Sequence, residues 1–108
     1  MATTHALLDS GQLTNTAAVI YTASGTGMVK TIILHNTETG SADTEEVEIY
    51  YLTAADDTTR MLKVAVGGNE TFEWSLGHMI VLTNGQTLLG KSTTTTTVNY
   101  FIFGAEEA

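Results

Sequence analysis

Short apolar runs recur about every ten residues from residue 17 onward, and glycine, asparagine, aspartate, serine or threonine separates each run from the next. This spacing is typical of a β-sandwich or a β-barrel. The clearest run is 46–52, in which Val47 and Ile49 alternate with Glu46 and Glu48, so we expect one face of that strand to be buried and the other to be exposed. No window of about eleven residues has the sustained apolar spacing of a helix. The sequence therefore predicts an all-β domain.

We expect about eight strands in a single antiparallel β-sandwich. The predicted strands cover residues 18–22, 28–35, 46–52, 61–66, 70–75, 78–82, 86–91 and 96–103. The dipeptide Asn84-Gly85 predicts a tight hairpin between the sixth and seventh of these strands. Alternation and turns do not reveal which strands are neighbours, so a jelly roll and an immunoglobulin-like sandwich both remain open.

The N-terminal segment differs from the rest of the chain, because it has little periodicity and several small polar residues. We interpret residues 1–16 as an arm that becomes ordered when it docks on a neighbour, and residues 17–108 as the β-sandwich domain. The one helix candidate, Ala6 to Leu13, lies in this arm. A chain of 108 residues has room for one core only.

The charge balance excludes several classes of partner. Four basic residues stand against 12 acidic ones, which gives a formal net charge of −8. The basic residues are scattered along the chain at Lys30, Arg60, Lys63 and Lys91. Nucleic-acid binding needs clustered cations, and an anionic membrane surface needs them too, so we expect neither partner. The start of the chain lacks the pattern of a secretory signal, and we expect synthesis and folding in a cytoplasm.

No pattern of metal ligands emerges, and we expect no cofactor. Of the three histidines, only His35 and His78 are placed where folding could bring them together, and a structural role is the expectation for both. The carboxylates of residues 38–46 and of Asp56-Asp57 lack the alternating ligand pattern of a calcium loop, so we expect solvated charges. Calcium bridging carboxylates at a subunit contact is the lesser alternative.

Catalytic patterns are missing as well, and we expect a protein that is not an enzyme. The chain contains no Gly-x-Ser-x-Gly elbow, and Gly25-Thr26-Gly27 lacks the third glycine of a dinucleotide loop. A small hydrolase would need a cleft that no motif indicates. Phe72 and Trp74 alternate with polar residues, which favours a pair that anchors the core over an exposed platform for sugar rings.

The ordered series of strands and turns between residues 20 and 104 resembles a group of small β-sandwich proteins that serve as virion structural components of tailed bacteriophages. The segments that carry the resemblance are 19–22, 29–36, 47–51, 68–74, 82–91 and 98–104. They span about four-fifths of the chain, without any diagnostic catalytic residue. The resemblance implies capsid decoration, cement, neck or tail-tip proteins, and hence a location in the virion.

Our leading hypothesis is a capsid decoration or cement protein that forms a homo-oligomer, with a trimer expected, and reinforces the head shell by binding the major capsid protein or another virion protein. The last strand has aromatic residues on both faces, so we expect Tyr100, Phe101 and Phe103 at the subunit interface. In the arm, we expect Leu7, Leu8 and Leu13 to contact the capsid. The alternative is a tail, neck or fibre-tip module that binds a receptor or carbohydrate, with exposed aromatic residues near Trp74 or Tyr50.

Overall fold

The computed structural model describes residues 4–40, 43–51 and 58–107, and within these ranges the chain forms strands and no helix. The eight strands are β1 Thr4–Gln12, β2 Ala18–Thr22, β3 Thr26–Asn36, β4 Glu45–Tyr51, β5 Arg60–Val66, β6 Thr71–Leu82, β7 Thr87–Lys91 and β8 Val98–Glu107. The described part of the chain thus includes no helical segment of the length and apolarity that would cross a membrane. The predicted all-β sandwich of about eight strands is confirmed.

The strands form two four-stranded antiparallel sheets. Sheet A has the order β1-β8-β3-β6, and sheet B has the order β2-β7-β4-β5. Pairing is nested: β1 pairs with β8, β2 with β7, β3 with β6, and β4 with β5, as in one long hairpin rolled onto itself. This is the topology of a jelly roll. An immunoglobulin-like sandwich is excluded, because its first two strands share a sheet, whereas β1 and β2 lie in different sheets.

The core lies between the two sheets and follows the alternation that the sequence predicts. In β4, Val47 and Ile49 are completely buried and Glu46 is exposed, as expected, but Glu48, which was expected on the exposed face, is only 8% exposed. Phe72 and Trp74 of β6 are partly buried and pack against this core, as expected. The largest completely buried apolar side chains are Leu13, Val29, Ile32, Leu34, Val47, Ile49, Leu82, Leu88, Val98 and Ile102. Every strand from β3 to β8 except β5 therefore contributes at least one completely buried apolar side chain.

The N-terminal segment contains a strand of the sandwich. Residues 4–12 form β1, which pairs with β8 along the edge of sheet A, so the expected helix at Ala6 to Leu13 is wrong and these residues are not an arm outside the domain. The register shifts between Leu7 and Asp9. This β-bulge interrupts the alternation, which explains why the sequence shows no clear period here.

The Asn84-Gly85 turn is present but does not form a hairpin, because it connects β6 of sheet A to β7 of sheet B. The amide of Gln86 donates a 2.9 Å hydrogen bond to the carbonyl of Thr83, and Gly85 has a φ of 88°. Asn84 has no positive φ, which fits a type II turn. The primed turns that suit the twist of a two-residue hairpin need positive φ at the first central residue. The turn therefore lets the chain cross between the sheets.

The predicted strands 70–75 and 78–82 form one long strand, β6. Ser75 is opposite Thr31 of β3, and Ile80 is opposite Val29, so the four residues 76–79 face the single residue Lys30. This bulge is the reason that the sequence shows two apolar runs where the structure has one strand. Two predicted strands thus become one, and β1, which was not among the predicted strands, brings the total back to the expected eight.

Candidate functional site

The outer face of sheet A carries apolar side chains that stand in register across its strands. Leu7 of β1 is opposite Phe103 of β8, which is in turn opposite Thr31 of β3. Phe101 of β8 is opposite Ile33 of β3. Directly opposed residues of neighbouring strands project to the same face. We use the name apolar face for the set Leu7, Met28, Ile33, Val81, Phe101 and Phe103.

Met28 and Val81 extend this face toward β6. They are opposite each other, and their chain neighbours Val29 and Ile80 are buried in the core, so Met28 and Val81 project outward. The side chains that are most accessible are Leu7 at 49%, Val81 at 48% and Phe103 at 36%. Adjacent exposed apolar residues of this kind are typical of an interaction surface.

A bulge in β3 shapes the centre of the apolar face. The register of β3 against β8 shifts between Val29 and Thr31, which leaves Lys30 as the extra residue. Lys30 is exposed, and together with Leu7 and Phe103 it lines a shallow pocket of about 290 Å³. The apolar face therefore has a depression that Lys30 helps to line.

One end of the same sheet is polar. Gln12 Nε2 donates a 3.0 Å hydrogen bond to Asn99 Oδ1, and His35 Nδ1 lies 2.9 Å from Thr71 Oγ1. Asn99 is opposite both Gln12 and His35, and His35 is opposite Thr71, so these residues form one row across the four strands. This row gives the apolar face a polar border, as protein interfaces have at their rim.

The outer face of sheet B has a different character, because ion pairs cover it. Glu48 Oε1 lies 3.1 Å from Arg60 Nη1, and Glu48 Oε2 lies 3.6 Å from Lys91 Nζ. Glu46 Oε1 lies 3.7 Å from Lys63 Nζ. Three of the four basic residues of the chain are thus engaged on sheet B. The two outer faces of the sandwich differ sharply in polarity.

Glu48 is the centre of the charged network on sheet B. Burial raises the pKa of its carboxyl, but hydrogen bonds from Tyr50 and Arg60 and the charge of Lys91 outweigh burial and lower the pKa below its usual range. The Tyr50 hydroxyl donates a 2.9 Å hydrogen bond to Glu48 Oε1. Burial, followed by this contact with the carboxylate, raises the pKa of Tyr50. Both carboxylate oxygens of Glu48 thus have partners within the chain, and Glu46, Glu48 and Lys91 also line a small pocket of about 250 Å³.

Two of the residues expected at contacts belong to the core. Tyr100 is 8% exposed and is opposite Leu34, so it points between the sheets and away from the apolar face. Leu13 is 1% exposed. The amide of Leu13 donates a 2.9 Å hydrogen bond to the carbonyl of Val98, and one of its methyl carbons lies close to Gly90 of sheet B. The expectation of a contact role is therefore wrong for both residues as the chain is folded here.

The other expected contact residues lie at or near the surface. Leu7, Phe101 and Phe103 come together on the apolar face, although the sequence assigned Leu7 to a different contact from the two phenylalanines. Leu8 is partly buried and packs against the core. The sequence prediction missed Met28, Ile33 and Val81. The signal for Ile33 was available, because β3 has apolar residues on both faces at its centre.

The residues considered as sugar-binding or metal-ligating candidates do not come together in a site. Tyr50 is 5% exposed and Trp74 packs against the core, so neither offers an open aromatic platform for a sugar. His35 lies opposite Thr71, whereas His78 lies in the bulge opposite Lys30, so the two histidines do not meet. Asp56 and Asp57 lie outside the described residues. Within the ranges that the structure does describe, no three His, Asp or Glu side chains converge as a metal site requires.

A groove of about 460 Å³ lies between the sheet edges formed by β5 and β6. Met61, Leu76, Met79 and Val81 are among its lining residues, and the bulge of β6 supplies Leu76 and Met79. Met61 and Met79 are exposed, and methionine adapts easily to irregular partners. The groove is thus a second apolar surface, which meets the apolar face at Val81.

No family model matches the chain, and no curated protein matches it.

Proposed function

We propose that the chain is a non-enzymatic virion structural protein of the capsid decoration or cement type, which self-associates through the apolar face. The observation that carries this proposal is the apolar face itself, on which Leu7, Phe101 and Phe103 stand together on the outer side of sheet A. A monomer gains nothing from exposing such residues side by side, whereas a second molecule would bury them. Full burial of a large apolar side chain contributes about 1.5–3 kcal/mol, and Leu7 at 49% exposure and Phe103 at 36% have about half and about a third of that gain still to make.

The difference between the two outer faces supports an orientation for the assembled protein. The ion pairs of sheet B suit contact with water, and the apolar face suits contact with protein. A decoration protein also needs a surface for the shell. The groove between β5 and β6, with Met61 and Met79 exposed, is our candidate for that contact.

Self-association is tested by analytical ultracentrifugation of the full chain over a wide range of concentrations. We expect oligomers whose dissociation constant rises at least about tenfold when Phe103 is replaced by serine, because removing a buried aromatic ring costs more than about 1.4 kcal/mol. The matched control is Val19→Ser. Val19 is 53% exposed and lies on β2 of sheet B, so its loss should leave the association unchanged. A wild-type chain that sediments as a monomer at every concentration would contradict self-association.

The place in a virion is tested by immunogold electron microscopy of particles from a phage that encodes this chain. We expect gold on the head shell in many copies. Gold confined to the tail or its tip would contradict decoration of the capsid and favour the receptor-binding alternative. Particles that contain none of the chain would contradict a virion role of any kind.

A further inference from the structure

Lys30 differs from the other basic residues of the chain. Arg60, Lys63 and Lys91 are all paired with Glu46 or Glu48 on sheet B. Lys30 makes no ion pair with any residue that the structure describes, although acidic residues outnumber basic ones three to one, 12 to 4. It lies on the opposite side of the sandwich, in the pocket beside Phe103. An unpaired cation next to exposed apolar side chains indicates a partner that brings a carboxylate.

Glu73 is an exposed carboxylate on the same outer face. It is opposite Ile33 of the apolar face, while its chain neighbours Phe72 and Trp74 pack against the core. Its Oε2 accepts a 3.0 Å hydrogen bond from Ser75 Oγ, and no cation of the described chain lies within ion-pair distance of it. The apolar face is therefore flanked by one positive and one negative group, neither of which forms an ion pair with a residue that the structure describes.

We propose that the occupant of the apolar face is a second copy of this chain, related by a two-fold axis, and that Lys30 of each copy binds Glu73 of the other. A two-fold contact uses the same patch on both molecules, so each unlike pair forms twice. Apolar contact alone would leave the relative orientation of two flat sheets loosely defined, whereas the charged pairs select one orientation. This inference rests on the self-association in the proposed function and specifies its geometry.

Charge reversal tests the pairing directly. We expect Lys30→Glu and Glu73→Lys each to raise the dissociation constant of the dimer by at least about tenfold, because each creates two like-charge contacts. An equimolar mixture of the two variants should form hetero-pairs with nearly wild-type affinity, because every contact between them joins opposite charges. The double variant should self-associate like the wild type for the same reason. Both substitutions are at exposed positions, and circular dichroism verifies that the variants are folded.

The control variant is Lys63→Glu, which reverses an exposed charge on sheet B and should leave association unchanged. If both single variants associate like the wild type while Phe103→Ser does not, the charged pairing is overturned and self-association through the apolar face stands. Failure of the mixture to form hetero-pairs, or a sedimenting mass of three chains, as in the trimer expected from sequence, would also overturn the two-fold pairing. If the wild type is monomeric at all concentrations, the proposed self-association is contradicted, and so is the proposed pairing of Lys30 with Glu73.

Discussion

The hydroxyl of Tyr21 donates a 2.5 Å hydrogen bond to Oε2 of Glu106. Tyr21 belongs to β2 of sheet B and Glu106 to β8 of sheet A, so this contact joins the two sheets. The backbone of β3 leaves room for the hydroxyl only because residue 27 is glycine, since a Cβ there would lie 2.5 Å from the phenol oxygen. Burial, followed by the hydrogen bond to Glu106, raises the pKa of Tyr21 well above its usual range.

Replacing Tyr21 by phenylalanine should destabilise the fold by about 1.5–3 kcal/mol, the usual range for a hydrogen bond to a charged group. Tyr21 is 3% exposed, so water cannot easily replace the lost donor. The measurement is the urea unfolding midpoint. Tyr51→Phe is the control, because the Tyr51 hydroxyl makes only a 3.4 Å contact, with the carbonyl of Val81, and its loss should cost much less. Equal effects of the two substitutions would contradict a special role for the Tyr21–Glu106 contact.

Glu48→Gln should lower the free energy of unfolding by about 1.5–3 kcal/mol at neutral pH, because it removes the charged acceptor that Arg60 and Tyr50 bind and that faces Lys91. The side chain of Glu48 is 11% exposed, whereas that of Glu46 is 53% exposed and lies 3.7 Å from Lys63. Glu46→Gln is therefore the control and should cost less than about 0.5 kcal/mol. Urea unfolding of both variants measures the two losses of stability. A loss for Glu46→Gln as large as that for Glu48→Gln would contradict the importance of burial for the Glu48 network.

Gly104→Ala should destabilise the sandwich by at least about 2 kcal/mol, since a Cβ has no room at this point. It would lie 1.9 Å from the carbonyl oxygen of Met28 on β3, a backbone atom that cannot move without breaking the sheet. This close approach lies next to Phe103 of the apolar face. Gly77 in the β6 bulge is the control, because a Cβ there meets nothing within 4 Å. Thermal unfolding should separate the two variants clearly, and equal melting temperatures would refute the steric argument.

The carboxyls of Glu38 and Glu45 interact at the polar end of the sandwich and should produce a measurable pH dependence. The hydrogen bond to Glu45, together with burial and the negative charge of Glu45, raises the pKa of Glu38 above its usual value. Burial raises the pKa of Glu45, but hydrogen bonds from Thr94 and from Glu38 outweigh it and lower the pKa. The amide of Thr94 donates a 2.7 Å hydrogen bond to Glu45 Oε1.

The direction of the pH dependence follows from the protonation state of each carboxyl that the folded protein stabilises. A protonated Glu38 stabilises the fold, and this contribution is lost as the pH rises through its raised pKa. Glu45 and Glu48, with lowered pKa values, act in the opposite sense and lose their contribution as the pH falls below the usual glutamate range. Glu38→Gln keeps a neutral donor and should remove the loss of stability on raising the pH.

Urea unfolding midpoints between about pH 4 and about pH 8 test this prediction, because the usual glutamate pKa lies at the low end of that interval. We expect the stability of the wild type to decline relative to that of Glu38→Gln as the pH rises. Glu46→Gln should keep the wild-type profile. Parallel profiles for the wild type and Glu38→Gln would contradict the stabilisation of the fold by a protonated Glu38 that hydrogen-bonds to Glu45.

Much of the local structure could be predicted because alternation reports which side of a strand is buried. Val47 and Ile49 point inward and Glu46 outward, as the pattern of β4 indicates. The prediction failed where a bulge interrupts the alternation, as at Leu7 to Asp9 and at the four residues of β6 opposite Lys30. It also gave no indication of the role of Asn36, which directly follows the predicted strand 28–35. Asn36 is completely buried, and its side-chain amide donates 2.8 and 2.9 Å hydrogen bonds to the carbonyls of Asp43 and Val66.

The candidate surface was predicted in part. Phe101 and Phe103 were recognised from the two-faced last strand, but Tyr100 belongs to the core, and the neighbours Met28 and Val81 were missed. A periodic pattern shows that two sets of residues point to opposite sides of a strand. It does not show which side meets the second sheet, and it does not show which strands lie alongside.

The sequence by itself determined that this chain forms short antiparallel strands with one side buried, because period-two burial is encoded locally in each run. Only the tertiary structure decided that β1 closes the edge of sheet A, that the Asn84-Gly85 turn crosses between the sheets, and that Leu7 and Phe103 share an outer face with Lys30. The physical reason is that strand pairing joins residues far apart in the chain, and alternation within one strand carries no information about its partner.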